Sequence, residues 1–338
     1  MDNNIHNNSV KPITSFLDIM EDGREYASIL GQQNVQVDFG LEIRKSLQEI
    51  YACRKRPIIC YIANVLNPLV SLNSIDNSDD GPFLELLRNA PLNDSVDIVL
   101  VTPGGSAETV AHFVSKIREK YSDVAFLLPY MAMSAGTIFS LSGNEIVMTD
   151  SAYIGPIDPQ VPGKNGRFMP AQAILKLIDD IKRRGQERIK KSEQPDWTDI
   201  QLLRSIDGKE IGNALNASAL SQNLVTEYLA KYKFVNWKTH ENSGTPVSEE
   251  DKNERASEIA KKLCDNQLWL SHSSRITREM AYNICNLKTT YAESINGLDR
   301  ALRRFWALMT LLLENQPIAK LYVSENYLLF KTQRNVGK

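Results

Sequence analysis

The chain has 338 residues, of which 42% are hydrophobic and 24% are charged, and its formal net charge is −2. A chain of this length and composition can bury a sizeable core. The near-neutral balance gives no basic footprint for nucleic acid or for an anionic membrane. The basic cluster at residues 182–191 is typical of a solvated helix face.

Several classes of protein are disfavoured by particular segments. Residues 1–12 are polar and Asn-rich, so they are predicted to be disordered, and they lack the apolar core of a signal peptide. No apolar run reaches the roughly 18 residues that span a bilayer. We therefore expect a cytoplasmic protein with neither a membrane nor a nucleic acid as partner.

Cofactor and metal chemistry is not indicated. The GxGxxG and GK[ST] phosphate-binding patterns are absent. The four cysteines show no CxxC spacing and no nearby set of histidines, so we expect neither a disulfide framework nor a metal site; they are Cys53, Cys60, Cys264 and Cys285.

The first half of the chain alternates between helical and strand patterns. Apolar spacing of three and four residues predicts helices from residue 13 to about 55. Apolar runs predict strands and amphipathic stretches predict helices in the order strand 56–65, helix 83–90, strand 95–103, helix 106–121, strand 123–130, helix 134–143 and strand 144–150. This alternation predicts an α/β fold with parallel strands and right-handed crossovers.

The second half is mainly helical. The pattern predicts helices at 170–191, 214–234, 256–269, 276–286 and 297–315, followed by a terminal hairpin at 318–334. Thr277 is a candidate N-cap for its helix. The polar stretch 238–254 is predicted to be a mobile loop.

Two predicted strands end in small residues. "TPGGSAET" begins at Thr102, and "MAMSAGT" begins at Met131. Ligands of open α/β folds gather at the carboxyl ends of strands. Gly104 and Gly105 allow positive φ, and their N–H groups could bind a developing oxyanion. Ser134 begins the following helix, either as a nucleophile or as an ordinary N-cap.

Three segments together resemble the Clp/crotonase superfamily: "VLVTPGGSAETV", "MAMSAGTIFSLSGNEIVM" and "SAYIGPIDPQV". The resemblance is strongest to the serine dehydrogenase proteinases (SDH-type), relatives of the Clp protease proteolytic subunit and of signal peptide peptidase A. It covers about residues 57–161, with a weaker match in "LWLSHSSRITREMAYNI". It implies a ββα spiral core with additional helices and a C-terminal helix plus hairpin. It also implies a serine peptidase that acts on peptides or proteins and forms a homo-oligomer.

The resemblance also implies roles for individual residues. Ser134 matches the nucleophile, and His272 matches the general base. Asp158 lies in the segment that lines the same site and is a candidate to orient the histidine. The loop that lines the oxyanion hole and binds substrate matches Gly104, Gly105 and Ser106, with the N–H of Ala135 as a second donor.

The residues themselves leave the base and the acid open. A serine hydroxyl needs an adjacent base, and the other histidines lie in the tail, inside a helix or in the polar loop; they are His6, His112 and His240. A serine–lysine dyad is the competing interpretation, with Lys176 or Lys288 as the candidate lysine. The acid could be Asp158, Asp150 or Glu108.

Two other functions compete with the peptidase. The chain could be a catalytically silent interaction module with a protein partner, since residues 185–255 match nothing in the family pattern. A crotonase-type acyl-thioester enzyme would use a similar oxyanion hole but would leave Ser134 without a role. We expect a catalytic core at 13–184, a helical insertion with a polar loop at 185–255, and a C-terminal part at 256–338 that completes the site and provides a possible oligomer interface.

Overall fold

The computed structural model describes residues 15–30, 37–67, 70, 72–162, 168–241 and 243–333. The predicted disordered tail at 1–12 and His6 lie outside these residues.

The strands are short, and most lie in the first half of the chain. They are β1 (Ile58–Ala63), β2 (Ser95–Val101), β3 (Asp123–Leu128), β4 (Met131–Ala132), β5 (Glu145–Met148), β6 (Tyr153–Ile154), β7 (Gln160–Pro162), β8 (Phe168–Pro170), β9 (Ile276–Thr277), β10 (Thr290–Tyr291), β11 (Ile318–Ser324) and β12 (Tyr327–Thr332).

Helices occur along the whole described chain, both between the strands and after β8. They are α1 (Phe16–Ile19), α2 (Glu25–Ile29), α3 (Phe39–Arg54), α4 (Asp80–Asn89), α5 (Ala107–Lys120), α6 (Ala135–Ser140), α7 (Ala171–Lys190), α8 (Trp197–Ser205), α9 (Gly208–Tyr228), α10 (Glu249–Cys264), α11 (Asn266–Trp269), α12 (Arg278–Cys285) and α13 (Leu298–Asn315).

The main sheet has the strand order β10-β5-β3-β2-β1-β11-β12. Strands β10, β5, β3, β2 and β1 pair in parallel, whereas the terminal hairpin β11–β12 adds to β1 in antiparallel fashion. The predicted α/β class, the parallel strands and the terminal hairpin are thus confirmed.

The central strands are apolar along their whole length because both of their faces are buried. In β1, Ile59 and Tyr61 pack into the core that is covered by α4, α5 and α6, whereas Cys60 and Ile62 pack into the core on the other face with α3 and α13. Successive side chains of a strand point to opposite faces, so a continuous apolar run serves two cores at once.

A second, smaller sheet, β4-β6-β9, stands beside the main one. β3 is followed by β4 and then α6, and β5 is followed by β6, so these two strands of the main sheet each lead into a short strand of the second sheet. An isolated bridge between Thr102 and Ala132 ties the end of β2 to β4. This succession of two strands and a helix is the predicted ββα arrangement, and it places Ser134 at the junction of the two sheets.

One prediction for the later part of the chain needs correction. The loop predicted at 238–254 is wrong from Glu249 onward, because Ser248 and Asp251 form a capping box that begins α10 there. The predicted domain boundaries at 184/185 and 255/256 fall inside α7 and α10. A continuous helix is no natural linker, so the division into three parts stays a prediction about sequence resemblance.

Phe139 tests how tightly the core behind Ser134 is packed. It is fully buried on α6, and its ring lies 4.9 Å from that of Phe126 and 6.1 Å from those of Phe83 and Phe113. We expect Phe139→Ala to lower the free energy of unfolding by about 3–5 kcal/mol because it leaves a cavity among these rings. Denaturant titration measures this loss. Leu92→Ala is the control: Leu92 is 91% exposed, and its loss should change stability by less than about 0.5 kcal/mol. Equal effects of the two variants would contradict the packing described.

Candidate active site

Ser134 occupies a sharp turn between β4 and α6. Its backbone has φ 53° and ψ −119°, a conformation that non-glycine residues seldom adopt. Such a residue costs on the order of 1–3 kcal/mol and persists only where the surroundings enforce it. The Gly136 N–H donates to the Met133 carbonyl at 2.7 Å, and the Thr137 N–H donates to the Ser134 carbonyl at 2.9 Å. The Ser134 side chain does not cap α6, so the interpretation of Ser134 as an ordinary N-cap is wrong.

The loop of Gly104 and Gly105 faces this turn. Both glycines have positive φ, at 102° and 146°. A Cβ on Gly104 would lie 2.6 Å from the Met133 carbonyl oxygen, and one on Gly105 would lie 2.5 Å from the Ile75 nitrogen. Real Cβ atoms do not approach backbone atoms so closely, so both positions require glycine for space as well as for conformation.

The segment before α4 holds this loop from its other side. The Ile75 N–H donates to the Gly104 carbonyl at 2.7 Å, and the Ser106 N–H donates to the Ile75 carbonyl at 2.9 Å. Ser106 also caps α5, since its side chain accepts from the Thr109 N–H. The loop is therefore fixed by backbone pairing on one side and by a helix start on the other.

Two of the three predicted oxyanion donors have a free N–H group. The Gly104 N–H is engaged, because it donates to Thr102 Oγ1 at 3.1 Å. Within the described residues, the N–H groups of Gly105 and Ala135 have no acceptor. Ala135 is the first residue of α6, where helical N–H groups have no intrahelical partner. Gly104 thus supplies space, and the donors available to a ligand are Gly105 and Ala135.

His272 and Asp158 form a hydrogen-bonded pair. His272 Nδ1 lies 2.8 Å from Asp158 Oδ1. The Asp158 side chain is fully buried, and its other oxygen accepts from Gln160 Nε2 at 3.2 Å and from Asn266 Nδ2 at 3.3 Å. A carboxylate only accepts hydrogen bonds, so this contact places the proton of a neutral imidazole on Nδ1 and leaves the Nε2 lone pair free.

The pairing of β6 with β9 explains how residues so distant in sequence meet. Tyr153 pairs with Thr277 and Ile154 with Ile276 in antiparallel register. Asp158 lies four residues after Ile154 and His272 four residues before Ile276, so both leave the same end of this pairing, and their side chains meet beyond it. The sequence left Asp158, Asp150 and Glu108 as candidate acids. The structure brings Asp158 to the histidine, whereas Asp150 is exposed and Glu108 accepts from Ser106 Oγ.

Ser134 and His272 line one cleft of about 470 Å³. Within the described residues, no hydrogen bond joins their side chains. Catalytic contacts are often loose without substrate and tighten only in its complex. The predicted residues Gly104, Gly105, Ser106 and Ala135 line the same cleft, and Asp158 supports it from behind His272.

None of the described residues that line this cleft is a lysine. Lys288 is 81% exposed and lies 3.8 Å from Glu241, and Lys176 is exposed on α7 beside another cavity. Neither candidate lysine is therefore the desolvated amine that a serine–lysine dyad requires. His240 does not line the cleft either; its Nε2 lies 3.6 Å from Asp251 Oδ2.

The cleft has one wall that the motifs did not reveal. Ala217, Leu220 and Ser221 of α9 line it, as does Phe168 of β8. The apolar spacing of α9 is that of any packed helix, so the sequence carried no signal for this role. The region predicted as an insertion thus contributes directly to the cleft.

A second cavity, of about 380 Å³, lies near the amino end of β1 and includes Arg44, Tyr51 and Leu92. It holds no paired nucleophile and base, so the cleft at Ser134 is the stronger candidate for chemistry. Among the residues that the structure describes, no three His, Cys, Asp or Glu side chains gather as a metal site, and no helix is both long and apolar enough to cross a membrane.

Comparison with known proteins identifies a family that is similar to part of the chain. Residues 42–194 match the family of ClpP-like SDH-type serine proteinases. This match confirms the resemblance that the glycine-rich loop, the Ser134 turn and the "GPIDPQ" segment predicted. It spans slightly less than half of the chain and ends before α8, so His272 lies outside the matched part.

Individual relatives share only parts of their length with this chain. Two uncharacterized proteins of Methanocaldococcus jannaschii are 29% identical over 112 residues and 31% identical over 108 residues. The chain spans only 37% and 35% of their lengths, respectively, and the matches cover 33% and 32% of this chain.

Solved structures give weaker likenesses. The catalytic domain of the ClpP protease from Plasmodium falciparum is 18% identical with a TM-score of 0.24, and the match covers 32% of this chain and 57% of that one. A membrane-bound stomatin-specific protease is 16% identical with a TM-score of 0.35, covering 68% and 79% of the two chains. Likenesses at this level carry no argument, and the similarity to the proteinase family rests on residues 42–194.

Gly105 provides a direct test of the loop geometry. We expect Gly105→Ala to destabilise the protein by about 1–3 kcal/mol, because alanine at φ 146° is strained and its Cβ would overlap the Ile75 backbone. Gly212→Ala is the matched control: this α9 glycine has open space around its Cβ position, so alanine should stabilise the helix by up to about 1 kcal/mol. Thermal unfolding measures the expected loss of stability in Gly105→Ala and the expected gain in Gly212→Ala. A Gly105→Ala variant as stable as wild type would refute the close approach.

Proposed function

We propose that this protein is a serine peptidase with Ser134 as nucleophile, His272 as general base and Asp158 as the residue that orients His272. One observation carries the proposal: a serine held at positive φ shares a cleft with two unpaired backbone N–H groups and with a histidine bonded to a buried carboxylate. Strained serine turns of this kind expose the hydroxyl for nucleophilic attack.

The proposed reaction proceeds through an acyl-enzyme. Ser134 Oγ attacks the peptide carbonyl carbon while His272 Nε2 takes its proton. The oxygen of the tetrahedral intermediate accepts from the N–H groups of Gly105 and Ala135. His272 then returns the proton to the departing amine, and water hydrolyses the ester by the same route.

The oxyanion donors and Asp158 contribute to the reaction rate in different ways. Removing one oxyanion donor from such a site typically costs about 10²–10³ in rate. Asp158 stabilises the imidazolium that forms and keeps its Nδ1 proton in place. The substrate is proposed to be a peptide or protein, while the homo-oligomeric state and the cytoplasmic location stay predictions.

Covalent labelling with a fluorophosphonate probe tests the nucleophile. We expect Ser134→Ala to abolish labelling and His272→Ala to slow it by on the order of 10²-fold or more, since the base that activates the hydroxyl is gone. Ser140→Ala is the control: this buried serine lies on the same helix, and its hydroxyl donates to the Thr137 carbonyl outside the cleft. It should label like wild type.

The outcomes separate the competing functions. Undiminished labelling of Ser134→Ala would refute Ser134 as nucleophile. Absence of labelling in the folded wild-type protein would favour the silent interaction module, for which the missing hydrogen bond between Ser134 and His272 is the supporting observation.

Charge in the cleft predicts a preference among substrates. Glu108 is the one carboxylate among the described residues that line it, and it is exposed. We expect peptides with a lysine near the scissile bond to be cleaved about two- to five-fold more efficiently than matched peptides with a glutamate there, as for an exposed ion pair.

Replacement of this one carboxylate checks the preference. Glu108→Gln should abolish it, so that the ratio of the cleavage efficiencies of the lysine and glutamate peptides falls to about one. Glu119→Gln, on the same helix but outside the cleft, is the matched control. A preference that survives Glu108→Gln would contradict this prediction without bearing on Ser134.

A further inference from the structure

A group of polar side chains is buried in the core around Asp79, away from the cleft. Asp79 is fully buried just before α4. Its two oxygens accept from Tyr61 at 2.8 Å, Tyr322 at 2.6 Å, Lys331 at 3.0 Å and Lys320 at 2.7 Å. Neither the peptidase chemistry nor the sequence motifs use these groups.

Lys320 makes one contact that the other donors do not make. It is fully buried on β11, and its ammonium also donates to the Ser74 carbonyl at 2.6 Å. An ammonium has three N–H donors and no acceptor. Two of them suffice for the oxygens of Asp79, and the third reaches the backbone of residue 74.

The Ser74 backbone leads directly to the catalytic loop. Ser74 lines the cleft, and the next residue, Ile75, pairs with the glycine loop on both sides. The Ile75 N–H donates to the Gly104 carbonyl, and the Ile75 carbonyl accepts from the Ser106 N–H. Hydrogen bonds through Ser74 and Ile75 therefore connect Lys320 to the two residues that flank Gly105.

The charges of the pair are compatible with this role. Burial alone would raise the pKa of Asp79, but the hydrogen bonds from Lys320 and Tyr322 outweigh it and hold that pKa below its usual value. Burial lowers the pKa of Lys320, against the opposing effect of its contact with Asp79. A buried charge without its partner is costly, so the pair fixes both side chains in position.

We propose that Lys320 is a positioning residue, which holds the Gly104–Gly105 loop in its catalytic conformation through the backbone of Ser74 and Ile75. The hydroxyls of Tyr61 and Tyr322 also donate hydrogen bonds to Asp79, but they do not contact residue 74. The catalytic consequence rests on the proposed function, whereas the effect on loop order does not.

Hydrogen exchange tests the positioning without relying on activity. The double variant Lys320→Met/Asp79→Asn removes both fully buried charges, and Lys331, which also contacts Asp79, is partly exposed and keeps its contacts with Ser78. In the full-length protein, we expect the amides of Ile75 and Ser106 to exchange at least about ten-fold faster, while the Phe126 amide in β3 keeps its protection. Tyr322→Phe is the matched control: it removes a donor to Asp79 but keeps the contact of Lys320 with Ser74, so exchange at both loop amides should stay near that of wild type.

Activity supplies the second readout. The rate of fluorophosphonate labelling at Ser134 should fall about ten-fold or more in the double variant, and Lys320→Arg, which keeps charge and donors, should restore part of it. If the wild type does not label, the peptidase proposal fails while the exchange result still decides the positioning.

Three outcomes would overturn the proposal. Exchange at Ile75 and Ser106 could be unchanged in the folded double variant. Exchange could rise equally in β3, which would show a loss of general stability. Finally, both the double variant and Lys320→Arg could fail to fold, which would assign the pair to the whole domain rather than to the loop.

Discussion

The candidate site depends on the close approach of two backbone segments, the end of β2 and the turn at Ser134. The Thr102 N–H donates to the Met131 carbonyl at 2.9 Å, and the Met133 N–H donates to the Thr102 carbonyl at 3.0 Å. Beyond these bonds no room remains for a side chain at Gly104. The unusual φ of Ser134 is maintained because neighbours on both sides leave its backbone no alternative.

The rest of the fold supports this contact from both faces of the sheet. The carboxyl ends of β2 and β3 lie side by side because the strands are parallel neighbours, so their loops meet at one edge. The apolar core behind α6 fixes the helix whose first N–H group is proposed to hold the oxyanion. The buried Asp79–Lys320 pair acts on the opposite side of the same loop.

Much of this could be predicted from the sequence, for identifiable reasons. Apolar runs marked β1, β2 and β3 because both faces of these strands are buried, and glycines at 104 and 105 marked the loop because no other residue fits. The resemblance implied Asp158 as the acid, but residue patterns alone could not choose it over Asp150 and Glu108, because the choice depends on which segments the pairing of β6 with β9 brings together. The engagement of the Gly104 N–H with Thr102 could not be predicted either, since it depends on a side-chain rotamer. Lys320 gave no signal, because one lysine in a terminal hairpin is normally exposed.

The β6–β9 register also limits how the chain can change in length. His272 and Asp158 are 114 positions apart in sequence, yet each lies only four residues from a paired strand residue. One residue added or removed within 155–157 or 273–275 would shift one partner past the other. The long connection through α7, α8, α9 and α10 is under no such limit, because adding residues to a long connection costs little entropy. Divergence in length among relatives should therefore accumulate between the acid and the base, and spare the two short segments that join them to the sheet.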